Sequence, residues 1–190
     1  MTLQIIDIGH PVLREVATPV TADELAGSEM QTFIDALIET KRTANGAGIA
    51  ANQVARAQRV FVVEVSNNPR YPYKPEYPLT VLINPEIEFL TEERFENYEG
   101  CLSIPNLRGA VMRCPEIRVK ALDRDGQRTE FEVSGITAGT FQHELDHLDG
   151  ILFPDRVEDT RTLCTWDEFK EHFEPAFRKT VEAVVAKYGS

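Results

Sequence analysis

Cysteine is scarce in this chain: three residues in 190 (Cys101, Cys114 and Cys164), with only four histidines and one tryptophan beside them. An odd and small number of cysteines excludes the disulfide framework of a small secreted domain, so a reducing compartment is expected. Any cysteine chemistry then runs through a thiolate or a metal. Positive charge is also short, with 20 Lys and Arg against 31 Asp and Glu and a formal net charge of −11. Long-range electrostatics therefore oppose unaided binding to nucleic acid or to an anionic membrane. Long apolar runs are missing, since Val60-Phe61-Val62-Val63 falls far short of the ~20 residues that span a bilayer. The opening Met1–Pro11 has no basic stretch followed by an apolar core, and acids appear at Asp7 and Glu15, so neither a secretory nor a transit signal fits. The cytoplasm is the expected location.

What is present reads as one globular domain: 42% hydrophobic and 27% charged residues, with no internal repeat or convincing linker. Met30, Phe33, Ile34, Leu37 and Ile38 recur at helical spacing over residues 28–44, with Glu29, Asp35, Glu39 and Lys41 between them. Ser28 and Gln31 resemble a capping box, and Asn45-Gly46 a stop. Val60–Val65 and Leu79–Ile83 read as strands around a loop holding Pro69, Pro72, Pro75 and Pro78 with Tyr71, Tyr73 and Tyr77. That loop is expected to be an ordered surface insertion. Alternation over 117–121 and 130–133 about Asp123–Gly126 predicts a hairpin with basic and acidic outer faces. A helix is expected over Ser134–Asp149. Trp166, Phe169, Phe173, Phe177, Val181 and Val184 predict a C-terminal helical part, broken near Pro175 into a short helix and a second one. The fold class is α+β: antiparallel sheets around a central helix, with an N-terminal helix and a C-terminal extension. The single domain spans 1–190, with a core of about 1–157 and an extension of about 158–190.

The chemistry concentrates in Gln142-His143-Glu144-Leu145-Asp146-His147. On a helix, His143 and His147 stand one turn apart and only ~40° apart around the axis, so both imidazoles can reach one metal ion. Glu144, beside them but offset, is positioned to hydrogen-bond a metal-bound water as a general base. Phe141, Leu145, Leu148 and Leu152 fall on the opposite face, so the helix should be buried. A catalytic site of this kind takes a third protein ligand and keeps one position open. A third histidine six residues on is excluded, because position 153 is Phe153. Glu168 or Glu171 from a downstream helix is one option, which would make a metallopeptidase of the glutamate-ligand type. Cys101, in Glu99-Gly100-Cys101-Leu102-Ser103, is the other, giving an N₂S donor set.

Three motifs in order, Gly46-Ala47-Gly48-Ile49-Ala50-Ala51-Asn52-Gln53, Glu99-Gly100-Cys101-Leu102-Ser103 and Gln142–His147, resemble those of the bacterial-type peptide deformylases. Gly9–Arg14, Asn84–Ile87 and Leu152–Arg156 extend the resemblance over about residues 1–157; the stretch from Val157 and the proline-tyrosine loop transfer least. The resemblance implies metal-dependent removal of the N-formyl group from the formylmethionine that begins newly synthesised proteins. It implies Cys101, His143 and His147 as metal ligands, Glu144 as base and then acid, and the Gln53 side-chain amide and Leu102 backbone N–H as donors to the oxyanion. Fe²⁺ is the implied native ion, with Zn²⁺, Ni²⁺ or Co²⁺ in purified protein. A peptide strand is expected along Gly46, Ala47, Gly48 and Ile49 on one side and Glu99, Gly100 and Leu102 on the other. The methionine pocket would be walled by Ile136, Gly139, Thr140 and His143, with Arg108 offering a positive group to the peptide. The protein is expected to be a monomer. Its implied partners are formylmethionyl nascent peptides and, through a weakly basic 176–190 helix, the ribosome.

Overall fold

The computed structural model describes residues 2–190. Two helices open the chain, α1 (Ala22–Ala26) and α2 (Ser28–Thr43). Thr21 and Glu24 cap α1 reciprocally, whereas α2 starts at Gly27 without a side-chain cap. Ser28 is thus not the cap that its spacing to Gln31 predicts. The α1–α2 junction is too tight for a free first turn, and the Gln31 amide instead donates to the Leu25 and Arg124 carbonyls, 2.9 Å each. Asn45 stops α2 in the left-handed region at φ 53°, a conformation that asparagine tolerates. Lys41, predicted on the polar face, is only 3% exposed. Its ammonium is held 3.0 Å from the Glu64 carboxylate and bonds the Glu64 and Gly46 carbonyls.

Seven antiparallel strands follow: β1 (Gly48–Ala50), β2 (Val60–Val65), β3 (Tyr77–Phe89), β4 (Phe95–Cys101), β5 (Ile104–Arg113), β6 (Glu116–Leu122) and β7 (Arg128–Ser134). β1-β2-β3-β6-β7 form one sheet in that order and β4-β5 a separate ribbon. The predicted hairpin is β6–β7, with Arg118 opposite Glu132 and bonded to it at 2.9 Å. β1 is an edge strand, paired on one side only.

Helix α3 (Gly135–Leu148) carries the two histidines and lies among β1, β2, β3, β6 and β7. Phe141 and Leu148 are fully buried in a cluster with Phe61, Val63, Leu82, Ile117 and Val119, and the half-buried Leu145 packs against it. Burying a side chain of this size contributes roughly 1.5–3 kcal/mol, so the apolar face clamps α3 to the large sheet and its other face is left for chemistry. Leu152 does not share that face: the helix ends at Leu148, and Leu152 packs with Cys101, Ile104 and Phe153.

The C-terminal part holds the expected short helix, α4 (Trp166–Glu168), and a second one starting beside Pro175, α5 (Glu174–Tyr188), but a π-turn over Phe169–Phe173 joins them without a gap. Proline has no N–H for the carbonyl four residues earlier. The wider turn, in which the Glu174 N–H bonds the Phe169 carbonyl, takes up the mismatch. Phe169, Phe177, Val181 and Val184 then pack on Phe95, Tyr98 and Ile136. Among the described residues no helix is long and apolar enough to cross a membrane.

Candidate metal centre and substrate cavity

One turn of α3 separates His143 from His147, and the end of β4 delivers Cys101. The three donor atoms lie within 4.8 Å of one another, and Cys101 Sγ is 3.2 Å from His147 Nε2. Buttresses hold each ligand. Glu99 accepts from His143 Nδ1 at 2.8 Å, which turns the ring's other nitrogen away from Glu99. Arg113 holds Glu99 with two bonds of 2.7 and 2.9 Å and reaches Asp146 at 2.7 Å. Arg156 bonds the other Asp146 oxygen, and the Asn52 amide donates to the His147 carbonyl. The Ser103 N–H donates to Cys101 Sγ at 3.3 Å.

The electrostatics fit a bound cation. Burial opposes ionisation of Glu99, but Arg113 and His143 overcome it and hold its carboxyl well below the usual carboxylate range. Burial likewise resists charge on His143, yet the Cys101 sulfur and Glu99 beside it hold its pKa well above the ordinary histidine value. A pocket that draws a proton onto a buried imidazole is short of positive charge. His147, desolvated and next to His143, is held well below that value and stays neutral, the form that ligates. Two imidazoles and a thiol match the donor types of a three-ligand catalytic site.

Glu144 is 3% exposed, and its Oε2 has no hydrogen-bond partner among the described residues. Burial pushes its pKa up to about 7, against the pull of His143 and Lys74, which suits a group that must both take and return a proton. Gln53 sits in the 3₁₀ turn Ala51–Val54. Its Oε1 accepts from the Ala50 N–H at 2.9 Å, leaving Nε2 3.4 Å from Cys101 Sγ and 3.2 Å from Ser103 Oγ. Gly46, Ala47, Gly48, Gln53, Glu99, Gly100, Cys101, Leu102, Gly139, Thr140, His143 and Glu144 line one cavity.

Three residues predicted to bind substrate are absent from the cavity lining. Arg108 is fully buried: it stacks on Phe169 at 3.9 Å and Trp166 at 4.3 Å and donates to the Tyr73 hydroxyl and the Tyr98 carbonyl. It is absent from the cavity lining, because the C-terminal extension covers it. Ile136 faces the α5 cluster, and the Ile49 side chain packs under β1, leaving its backbone at the sheet edge. Gly139 does line the cavity, but a Cβ there would stand 3.2 Å from Asn97 Nδ2 and 3.4 Å from Phe95 Cζ. Its lack of a side chain allows the close approach of α3 to β4. Glu168 and Glu171 are exposed and face His172, at 3.3 and 3.9 Å, so neither offers a third ligand.

Sequence periodicity missed Tyr71, Lys74, Asn97 and Tyr98, which complete the lining. The proline-tyrosine loop runs over the surface as expected, with Pro69, Pro72, Glu76 and Pro78 exposed, but its tyrosines turn inward: Tyr71 is buried and Tyr73 packs on Phe177 at 5.3 Å. The loop carries Lys74 into the cavity, where Nζ bonds Thr140 Oγ1 at 2.8 Å and burial pushes its pKa down to about 8. Four prolines at near-regular spacing were the available signal, since they stiffen a segment enough to fold over a site.

A buried three-donor centre, an adjacent unpartnered carboxylate and the Gln53 amide around one cavity fit a metal-dependent hydrolase of the amide type. Residues 2–162 match the polypeptide deformylase family, and the chain belongs to it. It is 44% identical over 169 residues to peptide deformylase 2 of a Nostoc species, covering 89% of this chain and 93% of that one. It is 42% identical to peptide deformylase 1 of Bordetella pertussis, over 82% and 87% of the two chains. A class I type b peptide deformylase from Acinetobacter baumannii, solved with Met-Ala-Ser bound, superposes with a TM-score of 0.80 at 41% identity, covering 83% of this chain and 99% of that one. A Synechococcus elongatus peptide deformylase solved with actinonin gives 0.74 at 29% identity over 98% and 86%. The activity is that of the family, metal-dependent hydrolysis of an N-formyl group, and the metallopeptidase alternative is not favoured.

Proposed function

We propose that Cys101, His143 and His147 hold one divalent ion, that Glu144 moves the proton, and that Gln53 and the Leu102 N–H bind the formyl oxygen as it becomes an oxyanion. When bound, such an ion polarises the formyl oxygen and acidifies a water molecule. Glu144 accepts the proton from that water at the carboxylate and returns it to the departing amine nitrogen, which leaves poorly unless protonated. Gln53 is pre-oriented for donation because its carbonyl oxygen is already committed to the Ala50 N–H. The peptide adds along the free edge of β1, and the small cavity admits a formyl carbon while excluding bulkier acyl groups.

The observation that carries this reading is the convergence of Gln53 Nε2, Cys101 Sγ and the unpartnered Glu144 carboxylate on one cavity. The ion we propose is Fe²⁺, as the family resemblance implies, and the substrates are formylmethionyl nascent chains met in the cytoplasm by a monomeric enzyme. Of the basic residues in α5 that a ribosome contact would use, Lys187 pairs with Glu93 at 2.5 Å and Arg178 with Glu174 at 2.6 Å, which leaves Lys179 without an ion-pair partner among the described residues. Anaerobic purification, metal analysis and assay on a formyl-Met-Ala-Ser peptide test the proposal. Near-stoichiometric iron and rapid deformylation are expected, with both lost in Cys101→Ala. Full activity and metal content in that variant would overturn the ligand assignment.

A further inference from the structure

Beside the active-site cavity runs a second groove of about 410 Å³, within the roughly 300–1,000 Å³ of small-ligand sites. Trp166 and Lys170 from the C-terminal extension form one wall, Pro69 and Arg70 from the proline-tyrosine loop another, and Leu102 and Pro105 the side toward the metal centre. Leu102 lines both spaces, so the groove adjoins the cavity at that residue. The floor is also fastened to the site: a Cβ on Gly100 would stand 3.2 Å from Trp166 Cζ2, and the extension is bridged to β5 by paired backbone bonds between Arg108 and Cys164 of 2.8 and 2.9 Å.

The groove is positive in a protein of net charge −11. Arg70 lies over the Trp166 ring at 4.8 Å and Arg108 packs against the same ring at 4.3 Å. Arg108 is fully buried, and its Nε and Nη1 have no hydrogen-bond partner among the described residues. Lys170 is exposed at the rim, and the acids one or two residues along its helix, Glu168 and Glu171, are turned to His172. Neither Arg70 nor Lys170 has a carboxylate partner among the described residues. Trp166 and Lys170 lie beyond the family match at residues 2–162, so this wall belongs to the extension.

We propose that the groove is a downstream subsite that receives the third residue of the formyl peptide and favours an acidic side chain there, paired with Arg70 and Lys170 over the Trp166 face. This rests on the deformylase reading. The shared wall at Leu102 and the close approach of Gly100 to Trp166 supply the path, and charge complementarity supplies the preference. The downstream chain runs into this groove, whereas the formylmethionine occupies the active-site cavity.

The test uses the metal-loaded full chain and three C-terminally amidated peptides, formyl-Met-Ala-Glu, formyl-Met-Ala-Gln and formyl-Met-Ala-Lys, so that no terminal carboxylate competes. At low salt the Glu peptide should exceed the Gln peptide in kcat/KM by about 2- to 30-fold, the range of two exposed ion pairs, with the difference in KM. The Lys peptide should fall below both. The preference should shrink at high salt and vanish in the Arg70→Ala/Lys170→Ala double variant. Equal kcat/KM for Glu and Gln, or a preference that survives the double variant, would overturn the subsite. Turnover of none of the three peptides would strike the deformylase reading itself and the subsite with it.

Discussion

Replacing Gly48 by alanine tests how closely the catalytic carboxylate is held. Gly48 lies in β1 opposite Val63, with a backbone that alanine can adopt. Its missing side chain makes room for Glu144: an added Cβ would stand 2.7 Å from both Cγ and Cδ of that residue and closer still to Oε1. Ordinary van der Waals contact needs about 3.5–4.0 Å, so the carboxylate must retreat by roughly 1 Å. It is buried between α3 and β1, and its one open side is the cavity that it lines, so any retreat displaces the oxygens that carry the proton. A displacement of that size at a reacting group costs about 10²-fold, and complete loss of general-base function about 10²–10⁴-fold. The expected kcat on a formyl-methionyl peptide is therefore down by at least ~10²-fold, with metal content unchanged. Overpacking should cost only about 1–3 kcal/mol of stability. A Gly48→Ala enzyme that folds, keeps its metal and turns over within threefold of the parent would refute the argument that Glu144's position, set by contact with β1, limits the proton transfer.

Three further outcomes follow from the same geometry. Glu144→Gln should keep the metal and lose about 10²–10⁴-fold in kcat, measured by single-turnover deformylation; metal loss on that change would mean the side chain is a ligand. Arg113→Met removes the partner of two buried carboxylates, Glu99 and Asp146, and should cost about 3–5 kcal/mol, read as a thermal midpoint lowered by roughly 6–20 °C; an unchanged midpoint would show that the network is not stabilising. Glu64, bonded by Arg42 and Lys41, has its pKa lowered to about 2 in the fold from an ordinary 4.5. A lowered folded pKa means stability that is complete above about pH 5 and lost as the pH falls through 4.5 toward 2. Denaturant unfolding between pH 6 and 2.5 should show this loss, and Glu64→Gln should flatten it; identical slopes in the two proteins would contradict the assignment.

Much of this was legible in one dimension because the relevant physics is local. Two histidines four apart on an amphipathic segment must share a face, and the flanking Phe141 and Leu148 predict which face is buried. Strands β2, β6 and β7 were legible from alternation and β-branching. Ser28 and Lys41 misled because their environments come from elsewhere: the α1–α2 junction displaces the cap, and Glu64, 23 positions away, draws the lysine inward. Pro175 marks the start of the second C-terminal helix, as its missing N–H and fixed φ predict, but the π-turn that joins that helix to α4 is not legible from a proline alone.

By itself the sequence determined the donor types, the i, i+4 pair, the carboxylate beside it and the α+β class. Helical geometry and side-chain chemistry suffice for these. Tertiary structure decided how the third donor reaches the pair, which residues close the cavity and which predicted ones leave it. Cys101 meets His147 across 46 positions, and Lys74 meets Thr140 across 66. Arg108 is taken out of the lining by aromatic side chains more than 50 residues downstream. Such contacts depend on strand register and on how an extension folds back over the sheet, which no local periodicity encodes.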